Sequence, residues 1–192
     1  MTKKKNSHKI ILDLCGGTGA WSKPYRSADY DVRLVTLPEH NVTNYIPPAN
    51  VYGILAAPPC QEFSIAKGAQ PRDFYKGMDI VKACLEIIWS VRCLGKLKFW
   101  ALENPTGFLR QFLGKPPFSF KYWEFGDEII KRTDLWGYFH APTKTHTHPQ
   151  PGLIPSIKYG WGKMSNKSFA ELTLWREQTR PGFAQAFFAA NK

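Results

Sequence analysis

Three groups of chemistry-bearing residues in this chain stand at the ends of apolar runs. The first is a thiol: Cys60 lies in Pro58-Pro59-Cys60-Gln61, directly after Tyr52-Gly-Ile-Leu-Ala-Ala57. Proline has a fixed φ and no N–H, so a turn with two of them holds its shape before any substrate arrives. A thiol on such a turn can be presented as a nucleophile, whereas an arbitrary cysteine is more often a small inert core residue. The second group is Glu103-Asn104-Pro105, which ends the run Phe99-Trp-Ala-Leu102. A carboxylate, an amide and a proline at one strand terminus suit acid catalysis or recognition of a heterocyclic base. Taken singly, Glu103 would read as a water-facing acid. The third is Asp13-Leu-Cys15-Gly16-Gly17-Thr-Gly19-Ala-Trp21, an acid followed by a glycine-rich turn. Glycines serve where a loop turns tightly and a ligand approaches the backbone, which suits the nucleoside-binding corner of an α/β sheet. The turn lacks the Gly-Lys-Ser/Thr ending of a phosphate-cradling loop and the third glycine of a dinucleotide fingerprint.

These groups need strands to carry them. Apolar runs closed by Gly, Pro or acids predict strands over Ile10–Leu14, Asp31–Val35, Tyr52–Ala56 and Lys98–Leu102. Between the last two, Ile80, Val81, Cys84, Leu85, Ile87, Ile88 and Val91 form one wide stripe at helical spacing, predicting a helix over Met78–Val91 that packs on the sheet behind Cys60. Phe183 and Phe187 share one face of a closing helix within 179–192. Alternating strands and helices predict a Rossmann-like α/β fold with a mostly parallel sheet and helices on both faces. At 192 residues and 43% hydrophobic, the chain suits one domain with one core. A net charge of +11 and a pI of about 9.6 favour a polyanionic partner. The four cysteines show no paired spacing, and two fall in the groups above, which points to a reducing cytoplasm. No run is long enough to span a membrane. His146-Thr-His148 has no suitably spaced further ligand, so no metal site is expected.

With these residues in hand, the chain resembles the DNA cytosine-5 methyltransferases, in particular the compact phage-type members. Asp13 to Trp21 is similar to the family's cofactor motif, and Pro58-Pro-Cys-Gln-Glu-Phe-Ser64 to its nucleophile motif almost letter for letter. Glu103-Asn104-Pro105 resembles the motif that contacts the target base, and Lys131-Arg-Thr-Asp-Leu-Trp136 the basic motif that follows. Pro181 to Asn191 resembles the closing helix. The motifs occur in the family's order, from about residue 9 to the C-terminus.

The resemblance implies methyl transfer from S-adenosyl-L-methionine to carbon 5 of cytosine in DNA. It assigns Cys60 as nucleophile, Glu103 as the acid that activates the base, and Arg132 as an electrostatic aid. Asp13, Cys15, Gly16, Gly17, Gly19, Trp21, Glu39, Asn41 and Pro58 would hold the cofactor, and Pro59, Gln61, Ser64, Asn104 and Pro105 would meet or shape the base site. Cys15 stands where an aromatic residue is usual, so stacking on the adenine is lost or supplied by Trp21. Glu39 is the nearest acid for the ribose hydroxyls, and Asn41 replaces a usual Asp. Asp134 aligns with the second of two usual arginines and cannot donate when ionised. The recognition region is reduced to residues 138–178. There Lys158-Tyr-Gly-Trp-Gly-Lys163, like the earlier Lys115-Pro-Pro-Phe-Ser-Phe-Lys-Tyr-Trp123, suits either base stacking or loop packing. Two other readings stay open: a catalytically weak nucleic-acid-binding protein on the same fold, and a cytosine C5-modifying enzyme of free nucleotides. Oligomeric state is not legible, and a monomer is compatible.

Overall fold

The computed structural model describes residues 6–155, 175 and 177–192. Four strands arise from the apolar runs: β1 (Ile10–Leu14), β2 (Asp31–Val35), β3 (Val51–Ala56) and β4 (Phe99–Pro105). Two more join them, β5 (Phe118–Lys121) and β7 (Arg132–Tyr138). Together they form a six-stranded sheet in the order β2-β1-β3-β4-β7-β5. Only β7 runs against its neighbours, so the sheet is mixed but mostly parallel. β6 (Ile129–Ile130) pairs separately with β8 (Ile154–Pro155). The architecture is α/β and compatible with a Rossmann-like fold. None of the helices among the described residues is long and apolar enough to cross a membrane.

Successive residues of a strand face opposite sides, and here both sides are covered. On one side Leu12, Leu14, Ile54, Ala56, Leu102 and Trp136 meet Val81, Cys84, Ile88 and Val91 of helix α2 (Phe74–Cys93). The predicted stripe is therefore core, and α2 extends beyond the stripe because Asp73 caps it, accepting the N–H of Lys76 at 3.0 Å. On the other side Ile11, Leu55, Ala101 and Leu135 meet an aromatic layer. Helix α1 (Lys23–Ser27) gives Tyr25 to that layer, and helix α4 (Pro181–Ala190), next in the chain after the short helix α3 (Leu109–Leu113), gives Phe183 and Phe187. Phe183 stacks on Phe120 of β5 at 4.2 Å between ring centroids. Burying a ring of this size stabilises by about 1.5–3 kcal/mol.

Both ends of α4 are tied down, one to the loop before β6 and the other to the loop after β7. The Asp127 carboxylate accepts the N–H groups of Gly182 (2.9 Å) and Phe183 (3.0 Å), and burial raises its pKa above the ordinary range despite those bonds. At the far end Asn191 exchanges two hydrogen bonds with the His140 backbone, at 2.8 and 2.9 Å. One expectation changes, and one pair of open readings is decided. β4 continues three residues past Leu102, because Glu103, Asn104 and Pro105 pair with Leu135, Asp134 and Thr133 of β7. The aromatics of 115–123 are packing residues: Phe120 and Tyr122 pack on Phe183 of the closing helix, and Trp123 is buried. Lys158–Lys163 lies outside the described residues.

Candidate active site

The strand order puts a crevice where the chemistry-bearing loops are. β1 leads outward to β2, and β3 then returns to the other side of β1. At such a switch point the loops leaving two adjacent parallel strands diverge, and ligands of open α/β sheets bind there. Those loops are Cys15–Gly19 after β1 and Pro58–Gln61 after β3. Main-chain bonds hold their roots side by side: Cys15 N–H donates to Val35 O (2.8 Å) and Ala57 N–H to Leu14 O (2.9 Å).

The glycine turn is shaped by close approach as well as by backbone angle. A Cβ on Gly16 would sit 2.3 Å from the Asp13 carboxyl, and Gly19 has φ +70°. Cys15 itself adopts φ 56°, and its Sγ lies 4.0 Å from Cys84 Sγ on α2. Asp13 is fully buried beneath the turn and receives the Ser22 hydroxyl at 2.5 Å, while its Oδ1 has no partner among the described residues. Desolvation raises its pKa to about 6, against smaller opposing effects of the Ser22 bonds and Arg26. A carboxyl whose folded pKa exceeds its unfolded value stabilises the fold below the unfolded value and loses that contribution as pH rises through 6. Asp13→Asn is therefore expected to gain stability over the wild type progressively from about pH 4 to pH 6 and to keep the gain above it. Urea unfolding across that range checks this, and a constant difference between the two proteins would refute it.

The thiol loop is built in advance. Cys60 O accepts the N–H groups of Phe63 (3.0 Å) and Ser64 (2.8 Å). Ser64 caps the next turn by accepting Ala66 N–H at 3.2 Å. The Arg72 guanidinium donates to the carbonyls of Glu62, Ser64 and Gly68, clamping the loop from the start of α2. Asn104 reaches across from β4 and donates to Pro58 O at 3.0 Å, which makes it a brace for the turn. Pro58 is buried, Pro59 and Gln61 are exposed, and Cys60 is half-buried between them. Burial pushes the Cys60 thiol pKa up, Lys131 pulls it down, and Glu103 and Glu177 add to the rise. At neutral pH the free thiol is protonated, so attack requires losing that proton.

Glu103 is buried at the end of β4, and desolvation raises its pKa above the carboxylate range while Lys131 opposes the rise. Its Oε1 and Asn104 Oδ1 have no hydrogen-bond partner among the described residues, so both retain acceptor capacity at the crevice. The cation beside Glu103 is Lys131, with Nζ 3.7 Å from Oε1. This differs from the expectation for Arg132. In the β4–β7 register Glu103 stands opposite Leu135, and alternation puts Thr133 and Lys131 on that face and Arg132 on the other. Arg132 is exposed and makes no ion pair among the described residues. Asp134, aligned with a base-contacting arginine, is instead a buried anchor. Both its oxygens are engaged by Arg110, and Thr106 and Ser119 add hydroxyl bonds.

Beyond β2, Glu39 and Asn41 line an open cavity of about 460 Å³ with Pro38, His40, Asn44, Tyr45 and Ile46. Asn41 Oδ1 accepts Thr43 N–H at 3.1 Å, which leaves its amide N–H groups for a ligand. Trp21 is not on this surface. Its ring is 2% exposed and packs on Phe183 and Phe187 at 5.8 and 5.3 Å, because the aromatic layer under α4 claims it. Stacking on a bound purine is therefore not its role. No protein-family model matches the chain, and no curated protein matches it.

Proposed function

We propose that the chain is an S-adenosyl-L-methionine-dependent DNA (cytosine-5-)-methyltransferase of Rossmann-like fold, working through a covalent adduct at Cys60. One observation carries this reading: the braced thiol turn and the buried carboxyl of Glu103 share one end of the sheet, tied together by the Asn104–Pro58 bond. The resemblance of the motifs to that family agrees with it. So does the charge of +11, which suits a phosphate backbone. A reducing cytoplasm suits the four free thiols.

The residues fit the methyl donor. The Gly16–Gly19 turn offers open backbone, with nothing within 4 Å of where a Gly17 side chain would start. Glu39 would be an acceptor for ribose hydroxyls and Asn41 a polar partner for the adenine edge, both on the cavity beyond β2. When bound, the donor supplies the electrophilic methyl group that carbon 5 accepts.

Carbon 5 of cytosine is a weak nucleophile, and the protein's part is to activate it. Cys60 Sγ, as thiolate, forms a bond to carbon 6, and the ring electrons move toward carbon 5 and ring nitrogen 3. Glu103 gives a proton to nitrogen 3 as negative charge builds there. After methyl transfer the carbon 5 proton passes to solvent, the electron pair it leaves expels Cys60 as a thiolate, and Glu103 recovers the nitrogen 3 proton. In duplex DNA the cytosine has to leave the base stack to reach this site.

An oligonucleotide carrying 5-fluorocytosine tests the scheme, because fluorine replaces the proton that must leave. With S-adenosyl-L-methionine present, a denaturation-resistant complex of protein and DNA is expected, and mass spectrometry should locate the bond at Cys60. Absence of any complex over a panel of sequence contexts, single- and double-stranded, would overturn the proposal.

A further inference from the structure

Two of the four free thiols face one another where the glycine turn meets α2. Cys15, at the head of the turn, and Cys84, on the helix, are 69 positions apart in sequence, yet their Sγ atoms lie 4.0 Å apart. Cys84 is fully buried in the core on that side of the sheet, whereas Cys15 is half-buried. Cys15 also has φ 56°, in the left-handed region that a residue with a Cβ adopts only at a cost. Glycine avoids that cost, as Gly17 (φ 55°) and Gly19 (φ 70°) do further along the turn. The turn thus carries a thiol on strained backbone, at a ligand-binding corner, against a second thiol.

We infer that Cys15 and Cys84 form a redox-responsive pair, whose oxidation to a disulfide draws the glycine turn onto α2 and closes it to the methyl donor. The effect on the donor rests on the function proposed above; the bond between the sulfurs does not. Bond formation needs the sulfurs to move from 4.0 Å to about 2 Å apart. Cys84 is held by a 20-residue helix packed on the sheet, so the displacement falls on Cys15. The turn has little tolerance for it. Positions 15, 17 and 19 all hold positive φ, and Gly16 leaves no room for a Cβ against the Asp13 carboxyl. With Cys15 pulled aside, the backbone of Gly16 to Gly19 no longer presents the same surface.

The oxidant is a small-molecule disulfide such as oxidised glutathione. Cys15 is the sulfur that solvent reaches, and as an anion it accepts the Cys84 S–H. That bond lowers its pKa, against burial and the Asp13 charge. Cys15 gives its proton to solvent, and its thiolate attacks one sulfur of the oxidant, breaking that S–S bond and releasing one glutathione thiolate. Cys84 then loses its proton to solvent, bonds to the Cys15 sulfur and expels the second glutathione as thiolate. Both leaving thiolates take up a proton. Two protein thiols are oxidised as one glutathione disulfide is reduced to two thiols. In a reducing compartment such a bond is transient and follows the thiol balance.

The test follows the sulfurs and the donor separately. Dilute protein is equilibrated at graded ratios of reduced to oxidised glutathione, free thiols are blocked with N-ethylmaleimide, and the peptides are mapped by mass spectrometry. The Cys15–Cys84 disulfide is expected at more reducing ratios than those at which glutathione adds to the exposed Cys93, because its second sulfur is already in place. Cys84→Ala should stop at a glutathione adduct on Cys15. Calorimetry with S-adenosyl-L-methionine should show affinity lowered about tenfold or more in the oxidised wild type and restored by dithiothreitol. Cys15 left unmodified, or left as the glutathione adduct in the wild type, while Cys93 reacts would overturn the inference. So would a disulfide that leaves donor affinity unchanged. If Cys84→Ala does not fold, the wild-type map and its reversal by dithiothreitol decide alone. Failure of the reduced wild type to bind the donor would refute the proposed function and with it the effect on the donor, and the disulfide map would still decide the pair.

Discussion

Replacing Cys60 with alanine is expected to lower methyl transfer to DNA by at least about a thousandfold, the scale on which losing a covalent nucleophile acts, while DNA affinity is retained. The expectation depends on the loop surviving the change. Its bonds to Phe63 and Ser64 run from the Cys60 carbonyl, Asn104 holds Pro58, and Arg72 clamps the carbonyls beyond. None of these uses the thiol. Alanine therefore removes the atom proposed to bond to carbon 6 and leaves the surface proposed to meet DNA. Transfer of labelled methyl groups measures the first effect and fluorescence anisotropy with the same oligonucleotide the second. Turnover within tenfold of the wild type would remove the covalent mechanism. Loss of turnover together with loss of binding would mean that the loop had collapsed, and Cys60→Ser would then be the variant to compare.

The parts of the site that lie close together in sequence were legible from it. β1 and β2 occupy the predicted residues, because a buried parallel strand needs an unbroken apolar run and the chain marks its ends with Gly, Pro or acid. The α2 stripe was readable for the same reason, at helical period. What failed to show was set by distant pairing. Trp21 follows a glycine turn and looks like a ligand-facing ring, yet α4, more than 150 residues later, covers it. Lys131 and Arg132 are neighbours of similar chemistry, and only the β4–β7 register decides which of them meets Glu103. An alternation argument on Lys131, Thr133 and Leu135 could have raised Lys131, but only with the partner strand known. The aromatics of 115–123 suited loop packing as well as a nucleic-acid surface, and the choice stayed open because β5 was not predicted and its inner face was therefore not seen.

Arg110→Ala is expected to destabilise the fold by about 3 kcal/mol, the lower end of what breaking a buried ion pair costs, because the arginine is partly exposed while its partner is not. Asp134 lies at the centre of the β4–β7–β5 region and is fully buried. Arg110 meets it with two bonds of 2.6 Å, one to each oxygen, a forked geometry that a lysine could not copy. With the guanidinium gone, only the hydroxyls of Thr106 (3.0 Å) and Ser119 (2.8 Å) remain, both on Oδ1. Oδ2 would then be a buried acceptor with no charge to balance it. Thr106 follows Pro105 directly, and its N–H bonds to Arg132 O, so the strain falls on the end of the strand that carries Glu103. Urea unfolding should show a lower midpoint with an unchanged slope. Arg110→Met combined with Asp134→Leu should recover much of the loss, because removing both partners leaves no orphaned charge. A cost below about 1 kcal/mol for the single change would place the pair with ordinary surface ion pairs and Asp134 outside the framework of the site.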